Sequence, residues 1–259
     1  MELIDLQKIR EQKDTLRRDW NAKRPFRYMV LENFFLPDKA KEIYHAYPSV
    51  DEGHWDGTTY INQKNKYQQR EFEESSIIKK AFFELNSEEF LEQIAYITGV
   101  EHLIGDDQLF GGGLHQSLTG AFLNVHVDYN IHPKTKLHRR LNILVYMNQD
   151  WREEYEGHLQ LWDMKRSQMM ENILPTFNRM AMFETNEISF HGHPKPLRLP
   201  VGLSRKSLAA YYYTNTRPEN EIADEHNTIY INTEGLKGKV KNLTSGVKAF
   251  FERVNSKIK

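Results

Sequence analysis

The chain has 259 residues, and its 35 Lys and Arg residues nearly balance its 36 Asp and Glu residues. A chain of this length can fold as one large domain with a sizeable core. Its near-neutral charge argues against a nucleic-acid-binding protein, which usually has a strong basic excess, so no nucleic-acid partner is expected. Cysteine is absent and histidine occurs 11 times. Disulfides, thiolate metal sites and cysteine nucleophiles are therefore excluded, and any metal must be held by His, Asp, Glu or water.

The N-terminal segment is charged every few residues and offers no apolar core for a secretory signal. No stretch approaches the roughly 18 uninterrupted apolar residues that a membrane span needs. We therefore expect a cytoplasmic protein without a transmembrane segment.

Three segments of the first hundred residues have apolar side chains at helical spacing. Residues 3–20 place them among charges, and residues 37–47 open with a Pro-Asp start signal. Residues 75–99 are typical of two helices that break near Ser87, which would cap the second. Residues 1–100 are therefore predicted to be mainly helical.

The pattern changes in residues 101–216, where short apolar runs alternate with turn residues, as in antiparallel β structure. Many short strands behind a helical segment indicate an α+β fold. We expect a double-stranded β-helix, the jelly roll of cupin-like proteins, with the N-terminal helices packed on one face. Six runs have strand character: 121–129, 141–148, 158–163, 179–185, 187–193 and 207–214.

The final segment, residues 217–259, turns polar and then basic, with seven Lys or Arg residues against one acid from residue 237 onward. Apolar residues at helical spacing predict a basic amphipathic helix there. Such a helix can bind a membrane or an acidic partner, or its apolar stripe can cover the parent domain. We expect the second arrangement, within a single domain over residues 1–259.

One strand carries a pair of metal-binding side chains. His126 and Asp128 are two residues apart in AFLNVHVDYN, so both project from the same face of a strand, while the intervening side chains are apolar. A second pair with this spacing, His54 and Asp56, lies in a segment without flanking apolar alternation and is discounted. The first pair supplies two ligands of a site that needs a third.

The third ligand can come from a distant strand, EISFHGHP, which contains His191 and His193. Two His and one carboxylate on one face of a metal leave positions open, as in the facial triad of non-haem iron. Arg205 begins a further strand and could hold a carboxylate by a two-pronged hydrogen bond, with the Ser207 hydroxyl beside it. The set predicts a site for iron and a dicarboxylate, with a zinc hydrolase site as a weaker alternative.

With these motifs the chain resembles the iron(II)- and 2-oxoglutarate-dependent oxygenases, in their prolyl-4-hydroxylase-like branch. The resemblance runs from about Arg24 to Thr214. It is strongest in GGGLHQSLTGAFLNVHVDYN, LHRRLNILVYMNQDWREEYEGHLQLWD and SFHGHP with SRKSLAAYYYT. One departure is Glu156-Gly157-His158-Leu159, where family members often have Gly-Gly, an acid and Leu.

The resemblance implies that His126, Asp128 and His191 bind iron, and that Arg205 and Tyr146 bind the distal carboxylate of 2-oxoglutarate. No catalytic side chain is expected beyond the metal centre. Three more residues are expected around the cosubstrate: Ser207, Leu159 and Asn142.

His193 shares a strand face with His191 and is kept as a contact of the outer shell or of the substrate, because the family pattern favours His191 as the ligand. The run Tyr211-Tyr212-Tyr213 is expected to be core and strand rather than a recognition surface. Three further residues are candidate substrate or cosubstrate contacts: His115, Gln116 and Asn124.

The activity implied by the resemblance is hydroxylation of an unactivated C–H bond, coupled to decarboxylation of 2-oxoglutarate to succinate and carbon dioxide. It needs Fe(II), 2-oxoglutarate and dioxygen, with ascorbate as a further candidate cofactor. A prolyl residue of a protein or peptide is the preferred substrate, and an amino acid, sugar or natural-product intermediate is the alternative. The polar segments 52–70 and 130–138 are expected to be substrate-covering loops. A non-catalytic cupin-like sensor of a metal or ligand is the competing hypothesis.

Overall fold

The computed structural model describes residues 2–231, so the predicted C-terminal amphipathic helix lies outside the described residues. The described chain starts with helices and continues mainly as strands. The helices are α1 (Leu6–Ala22), α2 (Pro37–His45), α3 (Ile77–Leu85) and α4 (Glu88–Thr98). The strands are β1 (Tyr28–Leu31), β2 (Asp56–Tyr60), β3 (Gln63–Gln69), β4 (Gly113–Val127), β5 (His138–Tyr146), β6 (Leu159–Asp163), β7 (Gln168–Ile173), β8 (Arg179–Glu184), β9 (Phe190–His193), β10 (Arg205–Thr214) and β11 (Ile229–Ile231).

Helices α1, α3 and α4 each begin at a residue whose side chain caps the helix. Asp5 accepts a hydrogen bond from the backbone N–H of Lys8, and Ser87 accepts one from Phe90. These side chains satisfy amide groups that a helix N-terminus leaves without partners. Helix α4 ends at Gly99, whose φ of 73° is a left-handed conformation that glycine adopts without a steric penalty. The predicted helices, including the break at Ser87, are confirmed.

The strands form one curled antiparallel sheet in the order β1-β8-β5-β10-β4-β9-β6-β7. Strand β4 joins its two halves: residues 113–117 pair with β10, whereas the end of the strand pairs with β9 and β11. Gly120, with φ of 76°, lies between these two parts. The sheet therefore closes around an interior that both halves line, as the predicted jelly roll requires.

Alternation along the strands separates a helix-packed face from an interior face. On β5, Ile143 and Val145 are fully buried in the same apolar cluster as Phe82 and Phe90 of the helices. Leu144, which lies between them in sequence, points to the other face and lines the pocket of the sheet. The helices thus cover one face of the sheet and leave the other for a site. Across residues 2–231, no helix is both long and apolar enough to cross a membrane.

The expectation of a loop over residues 52–70 was wrong for most of that segment. Strands β2 and β3 form an antiparallel hairpin, and β3 also pairs with β4 from Gln63 to Gln69. The residues of β3 are polar except for Tyr67, and three of them, Gln63, Lys66 and Gln68, line the pocket. The alternation that identifies a half-buried strand is therefore missing from this part of the sequence.

Candidate metal centre

Three potential metal ligands converge where the two halves of the sheet meet. His126 lies near the end of β4, Asp128 follows directly after that strand, and His191 lies directly opposite His126 on β9. Nε2 of His126 is 3.6 Å from Asp128 Oδ1, and Nε2 of His191 is 3.4 Å from Asp128 Oδ2. One ligand atom from each residue lies within 4.8 Å of the others, the one such group among residues 2–231. The strand geometry thus brings together the three residues that the sequence selected.

Both histidines are oriented by backbone carbonyls. Nδ1 of His126 donates a hydrogen bond to the Asn124 oxygen at 2.8 Å, and Nδ1 of His191 donates one to the Ser189 oxygen at 2.9 Å. With its proton on Nδ1, each ring keeps the Nε2 lone pair for a metal. Two neutral imidazoles and one carboxylate fit the donor set of a divalent iron site with open positions.

His193 lacks this arrangement. Its strand partner is Leu123 rather than a metal ligand, and its buried Nδ1 has no hydrogen-bond partner among the described residues. His193 nevertheless lines the same pocket as His191. The geometry therefore supports His191 as the ligand and places His193 farther along the pocket wall.

Hydrogen bonds hold the Asp128 carboxylate in position. Its Oδ2 accepts a hydrogen bond from Asn142 Nδ2 at 2.6 Å and lies 3.1 Å from Nη2 of Arg139. Burial alone would raise the pKa of Asp128, but Arg139, together with His191 and His126, holds that pKa well below its usual value. The carboxylate is thus kept ionised, as metal ligation requires.

Arg139 was not among the candidates from the sequence, yet its side chain is almost completely buried beside the metal site. Its guanidinium carbon lies 3.6 Å from the ring centre of Tyr211 and 4.5 Å from that of Tyr129. It also donates from Nε to Asn142 Oδ1 at 3.0 Å. Tyr211 was expected to be a core and strand residue: it lies on β10, and its ring lines the pocket, since alternation along β10 directs it inward.

Arg205 provides an anion-binding group at the other end of the pocket. Its Nε donates to the Gly157 oxygen at 2.7 Å, and its Nη2 lies 3.4 Å from the Tyr146 hydroxyl. Both side chains are buried. The Gly157 bond fixes one edge of the guanidinium and leaves the rest, with the Tyr146 hydroxyl, to engage a carboxylate.

The pocket between these groups has a volume of about 270 Å³. Ser207 lies on β10 between His115 of β4 and Tyr146 of β5, in one cross-strand row. His115 donates from Nε2 to the Gly111 oxygen at 3.1 Å. The pocket wall includes these sequence-selected residues: His115, Asn142, Leu159, His193, Arg205 and Ser207.

Two candidates from the sequence have other partners. Gln116 is buried and donates from Nε2 to the Ser204 hydroxyl, and Asn124 donates from Nδ2 to Asn62. Asn124 contributes its backbone carbonyl to the site, through His126, rather than its side chain. Neither residue belongs to the pocket wall.

Loss of solvation keeps three pocket histidines neutral: His191, His115 and His193. It lowers the pKa of His191 to about 3, with His126 adding to the effect and Asp128 opposing it. It also lowers the pKa of His115 and of His193 well below their usual value, and Lys66 and Arg205 contribute to both shifts. These side chains are thus available as neutral ligands or hydrogen-bonding groups at neutral pH.

Comparison with known families and curated proteins gives two sequence matches. Residues 112–213 match the family model of the 2OG-Fe(II) oxygenase superfamily, and this segment contains the three candidate ligands and Arg205. Prolyl 3-hydroxylase OGFOD1 of Mus musculus is 28% identical over 86 residues, which are 31% of this chain. The match spans 15% of the length of that relative.

Solved structures share the fold at low sequence identity. A prolyl hydroxylase from Trichoplax adhaerens, solved with a peptide fragment of the hypoxia inducible factor oxygen degradation domain, has a TM-score of 0.59 and 16% identity, covering 80% of this chain and 91% of its own. A prolyl-4-hydroxylase from Pseudomonas putida has a TM-score of 0.55 and 13% identity, covering 77% and 98%. These likenesses confirm the predicted double-stranded β-helix.

Proposed function

We propose that this chain is an Fe(II)- and 2-oxoglutarate-dependent dioxygenase that hydroxylates an unactivated C–H bond, because residues 112–213 match the family model of the 2OG-Fe(II) oxygenase superfamily. Bound iron would supply the dioxygen chemistry that converts 2-oxoglutarate to succinate and carbon dioxide. The observation that carries the proposal is one pocket whose wall contains His126, Asp128 and His191 together with Arg205, which contacts the hydroxyl of the buried Tyr146.

The chain's own side chains would bind and orient the reactants. His126 and His191 offer Nε2, and Asp128 offers a carboxylate that Asn142 and Arg139 keep ionised and in place. A sensor module needs no dicarboxylate anchor beside its metal, whereas an oxygenase that consumes 2-oxoglutarate does. The anchor therefore favours an enzyme over a cupin-like sensor.

The preferred substrate is a prolyl residue of a protein or peptide. Near the metal ligands the pocket wall includes the tyrosines Tyr129, Tyr211 and Tyr230, and the Tyr230 ring lies 5.2 Å from that of His126. A prolyl ring presents an apolar surface that packs well on aromatic faces. The named relatives, which are prolyl hydroxylases, support the same substrate class.

The test of the chemistry measures succinate by NMR after incubation with Fe(II), 2-oxoglutarate, ascorbate and air. Wild-type protein should form succinate, and the Asp128→Ala and His126→Ala variants should not. His54→Ala is the matched control, because His54 belongs to the other His-x-Asp pair and is exposed. Unaltered turnover in the Asp128 variant would contradict the proposal, and cosubstrate binding without any turnover would favour a sensor.

The test of the substrate is a mass-spectrometric screen of prolyl peptides and of small metabolites for the mass of one added oxygen atom. A hydroxylated prolyl peptide, absent with the Asp128→Ala variant, would support the preferred class. Hydroxylation of a free amino acid, sugar or natural-product intermediate alone would replace it with the small-molecule alternative.

A further inference from the structure

Lys66, on strand β3 of the β2–β3 hairpin, lines the pocket but has no role in the reaction proposed above. The strand register places it directly opposite Ser117 of β4, and Ser117 lies directly opposite Arg205 of β10. Residues opposite each other in antiparallel strands project from the same face of the sheet. Lys66, Ser117 and Arg205 therefore form one row on the pocket wall.

The length of this row allows both cations to reach one anion. Neighbouring strands are about 4.8 Å apart, so the backbones of Lys66 and Arg205 are separated by roughly 10 Å. The two long side chains together can span that separation. The next row along the same strands contains Gln68, His115, Ser207 and Tyr146. The Lys66 row therefore adjoins the Arg205–Tyr146 end of the pocket, whereas the metal ligands of β4 lie beyond the bend at Gly120.

The pocket wall contains two cations besides the one that pairs with the metal-site carboxylate. Arg139 pairs with Asp128, while Lys66 and Arg205 add two positive charges to the same wall. Lys66 is partly buried, and loss of solvation lowers its pKa to about 8, with Asp128 opposing the shift and Arg205 and Arg139 adding to it. A ligand with two negative charges would balance the charges of both Arg205 and Lys66, and would thereby stabilise the partly buried Lys66 ammonium group.

We propose that Lys66 is a second cationic anchor of the cosubstrate, binding the distal carboxylate of 2-oxoglutarate together with Arg205. This inference rests on the proposed function, since it takes 2-oxoglutarate as the ligand of the pocket. Lys66 belongs to a hairpin that packs on the edge of β4, whereas Arg205 belongs to the central strands. Binding of the dianion would thus tie the β2–β3 hairpin to the barrel and cover the cosubstrate.

The test compares Lys66→Met with Lys64→Met, a charge-matched control on the same strand. Lys64 is exposed and is not part of the pocket wall, because the pairing is irregular between residues 64 and 66. Calorimetry measures binding of 2-oxoglutarate to protein loaded with Mn(II) in the absence of substrate. We expect Lys66→Met to raise the Kd for 2-oxoglutarate about tenfold, the loss of a charge-assisted hydrogen bond, and Lys64→Met to leave it within about twofold.

Three further measurements make the assignment specific. Mn(II) affinity should be the same in both variants, and Lys66→Arg should restore most of the cosubstrate affinity. 2-Oxopentanoate, which lacks the distal carboxylate, should bind Lys66→Met as it binds wild type. Unchanged 2-oxoglutarate affinity in Lys66→Met, or an equal loss for both acids, would overturn the proposal. Wild-type protein that binds no 2-oxoglutarate would instead reject the proposed function itself.

Discussion

Arg139 and Asp128 form an ion pair in the wall of the metal site, with 3.1 Å between Nη2 and Oδ2. The arginine side chain is 1% exposed and the aspartate side chain 12%, so solvent screens the pair weakly. The tyrosine rings on Arg139 and its bonds to Asn142 fix the guanidinium, which in turn fixes a metal ligand. The pair makes the metal site depend on a residue that binds no metal.

Substitution of Arg139 by Met should therefore destabilise the metal-free protein. The change leaves the Asp128 charge buried without its cation, which costs about 3–5 kcal/mol in comparable cases. The free energy of unfolding, from urea denaturation at neutral pH, measures this loss. Arg166→Met is the control: Arg166 is 71% exposed and pairs with Asp163 at 3.6 Å, so its loss should cost at most about 1 kcal/mol.

The double variant Arg139→Met/Asp128→Asn separates the buried charge from lost packing. Because it removes both charges, it should be more stable than the sum of the two single losses predicts. Strictly additive losses would show that Arg139 stabilises the fold by packing against Tyr129 and Tyr211 alone.

Metal binding should distinguish His191 from its neighbour His193. His191→Ala should lower the affinity for Mn(II) by more than the roughly 10–100-fold that loss of an outer-shell group costs. His193→Ala should leave Mn(II) affinity within about threefold, because its Nε2 is not part of the ligand cluster. Calorimetric titration of each metal-free variant gives these affinities. A reversed order of the two variants would assign the ligand to His193.

Residue alternation was enough to predict which side chains share the site on regular strands. His126 and Asp128, two residues apart on β4, converge, as do Arg205 and Ser207 on β10. The period of two holds on these strands, so the sequence alone assigns each side chain to a face. The apolar run EISFHGHP likewise predicted the strand that carries His191.

Arg139 and Lys66 escaped prediction because a bulge reverses alternation. On β5, the strand register shifts between Leu141 and Arg139. Arg139 therefore faces the pocket, although Leu141, two residues away, faces the helices. On β3, a shift between Lys64 and Lys66 has the same effect. The β5 bulge contains neither glycine nor proline, and the extra residues opposite β3 lie in β4 between Ser117 and Phe122, where Gly120 has a positive φ. The sequence does not show how these irregularities turn the two cations, so only the three-dimensional pairing identifies them.

Acid should destabilise the metal-free protein partly through His115. Burial lowers its pKa, Lys66 and Arg205 lower it further, and the hydrogen bond to Gly111 opposes the shift. Below the unfolded-state pKa of about 6.5, the unfolded chain binds a proton that the folded chain does not bind. Above about pH 6.5, His115 therefore does not lower the free energy of unfolding. Below that value, the free energy of unfolding falls by up to about 1.4 kcal/mol for each unit by which the pH decreases.

His115→Gln should consequently flatten the pH dependence of stability. Urea denaturation of metal-free protein at about pH 6 and pH 5 should show a slope smaller than that of wild type by up to about 1.4 kcal/mol per pH unit. The comparison uses the slope, because loss of the Gly111 hydrogen bond lowers stability at every pH. The exposed His54 is the control, and His54→Gln should keep the wild-type slope. Identical slopes in all three proteins would exclude His115 as a source of acid sensitivity.

Gly157 should be required for cosubstrate affinity because it lies against Arg205. Its φ is 77°, and a Cβ there would lie 3.0 Å from Arg205 Cδ and 2.5 Å from Leu197 Cδ2. Gly157→Ala should therefore displace the guanidinium and raise the Kd for 2-oxoglutarate about tenfold, the contribution of a charge-assisted hydrogen bond.

Gly120→Ala is a closely matched control, since Gly120 has φ of 76° but its nearest contact would be 3.9 Å from the new Cβ. Both variants incur about 1–2 kcal/mol of left-handed backbone strain. The close contacts with Leu197 and Arg205 occur only in Gly157→Ala, which should therefore be the less stable of the two and the one that loses affinity in calorimetry. Equal cosubstrate affinity in the two variants would show that Arg205 keeps its position without the open space at Gly157.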